Sequence, residues 1–115
     1  MGNPSVLTSL VALIAGRKSN PPSEPSYVVS LLQGGVAKIG GKIVEEAAEV
    51  VEAAVEPGDA GREHLVKEVT DLLFHTLVML AHRDVPWTDV EAELARRLGV
   101  SGIVEKESRG RHTPA

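Results

Sequence analysis

The chain has 115 residues, a formal charge of −4 and no cysteine. The length sets one domain, with a core that covers roughly two-thirds of the unfolded surface. The missing thiols exclude a disulfide framework, thiolate metal sites and cysteine nucleophiles; the acidic balance argues against a nucleic-acid groove but not against a small anionic substrate whose charge a bound metal balances.

With one Phe, one Tyr and one Trp, the core has to come from Val, Leu, Ile and Ala. No apolar run approaches the ~20 residues needed to span a bilayer. Residues 6–15 are apolar enough for the hydrophobic region of a signal peptide, but no Lys or Arg precedes them. Met1-Gly2 opens like a myristoylation site, yet Val6 stands where Ser or Thr is required. The expectation is an untargeted, cytoplasmic chain with no membrane or nucleic-acid partner.

Asn3-Pro4 predicts a helix start, an N-cap followed by Pro at the first helical position, with Gly16 as the stop. Residues 17–25 contain three prolines and read as a linker. Ser26 predicts the cap of a second helix opening at Tyr27. Gly34-Gly35 and Gly40-Gly41 fall within it, each Gly costing ~1 kcal/mol relative to Ala, so a kink or break is expected before the strong pattern of residues 42–56. Pro57-Gly58-Asp59 closes that helix. A third is expected over about residues 60–82. After Val85-Pro86, the capping box Thr88-Asp89-Val90-Glu91 predicts a fourth that ends at Gly99. No strand pattern and no repeat is evident, so the class is all-α, a four- to five-helix bundle. Residues 1–25 form its first helix and Pro-rich linker, 26–99 the helices that carry the chemistry, and 100–115 a polar tail.

At 100° per residue, Lys38, Lys42, Glu45, Glu46, Glu49, Glu52 and Glu56 share one face of the second helix. Ile43, Val44, Ala47, Val50, Val51, Ala54 and Val55 take the other and predict its core face. Alone, that is the pattern of any surface helix. The third helix is different: Leu65, Val66, Val69, Leu72, Leu73, Phe74, Leu77, Val78, Met79 and Leu80 cover almost its whole circumference, which predicts extensive burial. His64, Glu68, Asp71, His75 and His82 form one narrow stripe on it. Buried carboxylates are unfavourable unless paired or metal-bound. Glu68 and Asp71 are three apart, as are Glu46 and Glu49, so each pair projects from adjacent turns. Packed face to face, the two helices present four carboxylates to one point. That set suits a hard divalent cation such as Mg²⁺, or Mn²⁺ in its place. His75 is better placed than His64 and His82 but reads as a hydrogen-bonding residue, because imidazole is not the ligand of choice for Mg²⁺. A ferritin-like di-iron site needs a Glu-x-x-His element on two helices, and neither has one.

Glu45-Glu46-Ala47-Ala48-Glu49 followed by Glu68-Val69-Thr70-Asp71 resembles the EExxE…ExxD signature of the MazG-like all-α nucleotide pyrophosphohydrolases. Ser26-Tyr27, Leu31-Leu32, Gly35, Ala37-Lys38-Ile39, Lys42, Asp71-Leu72-Leu73-Phe74-His75, Leu77-Val78, Leu80-Ala81, Ser101-Gly102, Glu105-Lys106 and Ser108-Arg109 resemble the phosphoribosyl-ATP pyrophosphatases of histidine biosynthesis. The likeness covers nearly the whole chain. Gly40-Gly41, where the family usually has a helix-favouring pair, and Val44, at a position often held by Gly, are departures.

The resemblance implies hydrolysis of phosphoribosyl-ATP to phosphoribosyl-AMP and pyrophosphate, with Mg²⁺ on Glu46, Glu49, Glu68 and Asp71. Glu45, Glu46 and Glu49 are the implied catalytic carboxylates, Glu45 orienting water or a neighbouring side chain. Lys38 and Lys42 are candidates for phosphate contact, with pairing to Glu45, Glu46 or Glu49 as the alternative. Lys106 and Arg109 are candidates to close over a phosphate or ribose. A homodimer completing the bundle is expected, and a separate phosphoribosyl-AMP cyclohydrolase is a candidate partner. Two rivals stand beside this reading: housecleaning hydrolysis of (d)NTPs on the same fold, and a non-enzymatic helical module whose acidic face binds a protein.

Overall fold

The computed structural model describes residues 5–99. Within them lie four helices, α1 (Val6–Ser19), α2 (Tyr27–Ala54), α3 (Gly58–His82) and α4 (Trp87–Leu98), and no strand. The chain forms two compact units, one carrying α1 to α3 and the other beginning at Pro86 and carrying α4. No helix among the described residues is long and apolar enough to cross a membrane.

The expected start of α1 at Asn3-Pro4 lies outside the described residues. Ser5 is the N-cap, its hydroxyl accepting from the Thr8 N–H at 3.0 Å. The helix does not stop at Gly16 but runs a turn further to Ser19. The reason is tertiary: Lys18 Nζ donates to the carbonyls of Ala81 at 2.7 Å and His82 at 3.2 Å, and pairs with Asp84 Oδ1 at 2.7 Å. Those carbonyls belong to the last turn of α3, which lacks intrahelical donors. Keeping Lys18 helical caps α3 and ties α1 to it.

Ser26 caps α2, accepting from the Val29 N–H at 3.3 Å. Of the two glycine pairs only the first breaks the helix. Gly35 has φ 67° and ψ −161°, a region essentially confined to glycine that costs an L side chain about 1–3 kcal/mol. Gly40-Gly41 stays helical, and a Cβ placed on Gly40 would lie 3.8 Å from the Met79 methyl of α3. α2 and α3 run antiparallel: Glu56 meets Gly61 and His64, Glu46 meets His75, and Gly35 comes beside His82. At Gly61 any Cβ would collide with the Glu56 carbonyl, so this position sets how tightly the hairpin closes.

The core face expected for α2 is largely on the outside. Val44, Val51 and Val55 are 72, 67 and 81% exposed, whereas Val28, Leu31, Ile39, Ala53 and the acidic Glu46 are buried. α3 shows the same asymmetry, burying Glu68, His75, Leu77 and Val78 while Val66, Val69 and Leu73 remain exposed. Periodicity marks the two faces of a helix but not which of them meets its neighbour. Here the two polar stripes face one another, and the apolar stripes they leave behind point outward.

In the second unit, α4 begins one residue before the expected capping box, at Trp87, with Pro86 at the cap and no side-chain cap bond. Thr88 therefore lies inside the first turn. Gly99 closes the helix, its N–H donating to the Ala95 carbonyl at 2.9 Å. Arg96 Nη2 and Arg97 Nε donate to Glu93 Oε2 at 2.7 and 3.0 Å, and together hold the Glu93 pKa down to about 2.

Candidate metal centre between the acidic helices

The carboxylates of the EExxE and ExxD motifs divide into two groups along the α2–α3 interface. The first is centred on Glu46, which is 8% exposed and accepts from His75 Nδ1 at 2.5 Å. His75, 4% exposed, also directs Nδ1 at the Asp71 carbonyl one turn back, 2.9 Å away. Both neighbours of Nδ1 are acceptors, so Nδ1 carries a proton. On the other side of the ring, Nε2 lies 2.8 Å from the Tyr27 hydroxyl. The Tyr27 and Phe74 rings lie nearly perpendicular to the imidazole, with centroids 5.8 and 5.0 Å away, and stack on each other at 6.1 Å.

The second group joins Glu49 of α2 to Glu68 and Asp71 of α3. The Glu68 carboxyl, within hydrogen-bonding reach of Glu49, raises the Glu49 pKa above its ordinary value; partial desolvation and the charge of Asp71 add to this, and His64 opposes it. His64 bridges the far end. Its Nδ1 lies 3.0 Å from both Glu56 oxygens and its Nε2 lies 3.2 Å from Glu68 Oε2. Hydrogen bonding to Glu56, with the charges of both carboxylates, raises the His64 pKa. The His64 side chain, 37% exposed, is held between two acids. Glu68 Oε1, by contrast, is buried and has no hydrogen-bond partner.

An unpartnered buried acceptor costs about 1–3 kcal/mol. Among the described residues, no three His, Asp or Glu side chains converge, as they stand, on a point that would hold a metal ion. Glu46 is engaged by His75 and Glu49 leans on Glu68. The donor set nevertheless fits a hard cation chemically: all-oxygen ligands, mutual repulsion that a positive charge relieves, and one buried oxygen left unpartnered.

The remaining predicted residues are placed as follows. Glu45 is exposed, beside the interface. Lys38 is exposed, and its Nζ donates to the Ser30 carbonyl at 3.4 Å, across the kink at Gly35. Lys42 is half-buried, one turn before Glu46. Neither lysine forms an ion pair with Glu45, Glu46 or Glu49 among the described residues. Lys106 and Arg109 lie outside the described residues. Sequence reasoning ranked His75 as a hydrogen-bonding residue, but it missed the bond to Tyr27, which joins the start of α2 to the second half of α3 and leaves no periodic signal.

Residues 7–98 match the family described as Phosphoribosyl-ATP pyrophosphohydrolase. The chain is similar to the phosphoribosyl-ATP pyrophosphatase of Rhodopirellula baltica, 48% identical over 90% of this chain and 85% of that one. It is similar to the enzyme of the same name from Neisseria meningitidis serogroup B, at 50% identity over 91% of this chain and 94% of the relative. The corresponding figures for Novosphingobium aromaticivorans are 50%, 95% and 98%. A helical unit that turns two acid-bearing faces toward one another, matched over nearly all of its length, belongs to the phosphoribosyl-ATP pyrophosphohydrolase family.

Proposed function

We propose that this chain hydrolyses phosphoribosyl-ATP to phosphoribosyl-AMP and pyrophosphate, the second step of histidine biosynthesis, at the α2–α3 interface with the help of Mg²⁺. The observation that carries the site assignment is the buried, unpartnered Oε1 of Glu68, whose carboxyl reaches Glu49. Glu46, Glu49, Glu68 and Asp71 would hold the cation through oxygen. When bound, it supplies charge neutralisation at the phosphates and acidifies a water for in-line attack.

The protein's own part is positioning. Glu49, whose pKa the Glu68 carboxyl raises in the metal-free chain, is the candidate to accept the proton of the attacking water. Glu45, exposed one residue before Glu46, orients that water or a neighbouring side chain. Lys42, half-buried one turn away on the same face, offers a cation to the leaving phosphates, and Lys38 does so if it releases the Ser30 carbonyl. Lys106 and Arg109 answer the second, 5′-phosphate of the phosphoribosyl group. A guanidinium does this bidentately, which distinguishes this substrate from an ordinary triphosphate.

A homodimer is part of this proposal. Val44, Val51, Val55, Val66, Val69 and Leu73 leave an apolar surface on α2 and α3 that another helical pair covers. The deciding experiment is pyrophosphate release from phosphoribosyl-ATP, ATP and dNTPs, with and without Mg²⁺. Preferential, Mg²⁺-dependent cleavage of phosphoribosyl-ATP is expected. Equal turnover of dNTPs, or turnover unchanged by chelation, overturns the proposal.

A further inference from the structure

Every polar atom of the His75 ring is engaged, although a buried carboxylate needs only one donor to be satisfied. Nδ1–H gives its proton to Glu46 Oε1 at 2.5 Å, with the Asp71 carbonyl as a weaker second acceptor at 2.9 Å. When the ring is neutral, the Nδ1 proton leaves Nε2 bare, and the Tyr27 hydroxyl, 2.8 Å away, donates to it. Phe74 and Tyr27 meet the ring edge-on at 79° and 86°, so rotation about its own axis is blocked from two sides. Tautomer, tilt and reach of His75 are thus all determined, by groups drawn from both helices.

What this determined ring touches is a single oxygen of Glu46. No hydrogen bond among the described residues engages the other oxygen, Oε2. Glu46 stands one helical turn before Glu49, whose carboxyl meets Glu68. A carboxylate that swings freely can bring either oxygen to a cation, or both, and loses side-chain entropy when it does. One whose Oε1 is pinned has already lost that freedom and offers a single oxygen.

We propose that His75 is a positioning residue for Glu46: held by the Tyr27 hydroxyl, it pins Oε1 and leaves Oε2 as the one oxygen that Glu46 offers to a divalent cation. The inference rests on the metal-assisted reading above. It assigns Tyr27, at the first position of α2, to the same device. The role of Tyr27 is indirect: Glu46 and the Asp71 carbonyl draw the proton to Nδ1, and the Tyr27 hydroxyl holds the Nε2 end of the ring in place.

The test uses the full chain and two readouts besides turnover. In the metal-free protein at pH 8, imidazole ¹⁵N shifts should show His75 protonated at Nδ1 with Nε2 as an acceptor. Tyr27→Phe, which keeps the ring stacking, should move the Nε2 shift. Mn²⁺ binding, followed by loss of the free-ion paramagnetic resonance signal, should weaken about tenfold in His75→Ala, within the range for groups that orient a ligand. His75→Asn, whose amide restores a donor near the Nδ1 position, should recover most of that loss, and Tyr27→Phe should show a smaller one. Under saturating Mn²⁺, kcat should fall less than metal affinity does. Mn²⁺ affinity in His75→Ala equal to that of the wild type overturns this inference alone, and so does an Nε2-protonated His75. Failure of the wild-type chain to bind Mn²⁺ overturns the metal reading and this inference together. Should His75→Ala not fold, the Tyr27→Phe shift and affinity decide the matter, and no change in either overturns the proposal.

Discussion

Glu68 of α3 reaches across the helix pair to Glu49 of α2 and raises its pKa, so part of the acidic motif is held in the fold against its own repulsion. The sign of the resulting pH dependence follows from linkage. A carboxyl whose folded pKa lies above its unfolded value binds its proton more tightly in the native state. Its contribution is therefore most favourable below the unfolded value of 4.5 and is lost as pH rises through the folded pKa. Metal-free protein should lose thermal stability over that window, and Glu49→Gln should flatten the curve and raise the melting temperature at pH 7. Added Mg²⁺ should stabilise the wild type and not the variant. A scan of melting temperature against pH, with and without Mg²⁺, checks all three outcomes.

Asp71 contributes to two things at once, its charge acting on Glu49 and its backbone carbonyl accepting from His75. Asp71→Asn removes only the charge. Turnover of phosphoribosyl-ATP should fall by more than about 100-fold, beyond what loss of a merely supporting group produces, while the circular dichroism spectrum stays helical. Near-normal activity in this variant would remove Asp71 from the ligand set.

Lys18 predicts a stability effect with no catalytic counterpart. Its ammonium serves two carbonyls at the end of α3 and the Asp84 carboxylate, with the side chain 34% exposed. Lys18→Met should destabilise the fold by about 1–2 kcal/mol, the range for a charged hydrogen bond reduced by solvent access. Urea unfolding reads this as a lower midpoint at unchanged slope. The same contact holds the Asp84 pKa below its ordinary value, so stability from this pair is present above the unfolded value of 3.8 and is lost as pH falls through the folded one.

Two glycines of α2 should respond with opposite signs. Gly35→Ala forces a side chain into a glycine-only region at φ 67° and ψ −161° and should cost about 1–3 kcal/mol. Gly41 is helical and a Cβ there meets nothing within 4 Å, so Gly41→Ala should add up to about 1 kcal/mol. Chemical denaturation of the two variants checks this; a stabilising Gly35→Ala would mean that the kink is not needed.

The outward valines predict the assembly. Val51→Glu and Val66→Asp place charges on surfaces that are 67 and 64% exposed in a single chain, so a monomer should tolerate them with little change. In the proposed homodimer they should shift sedimentation to the monomeric species at micromolar concentration and lower activity with it. Variants and wild type sedimenting identically as monomers would end that part of the proposal.

Much of this molecule was legible along one dimension. The 3.6-residue period, Ser26, Pro57 and Gly99 locate α2, α3 and α4 to within a few residues, because caps and amphipathic repeats act over one or two turns. The EExxE and ExxD spacings carry the family and the acidic chemistry for the same reason: residues three or four apart share a face whatever the helix later packs against. The interactions between helices were not legible. Both glycine pairs permit a break in α2, and only in the folded chain does Gly35 take it, at φ 67°. The extension of α1 past Gly16 depended on carbonyls more than sixty residues away that Lys18 could cap. Which face of α2 turned inward shows only in contacts between helices, above all the pairing of Glu46 with His75, that no local rule contains. The apolar stripe, by default the core, was left facing out because the acidic stripe, with Glu46 buried against His75, took its place.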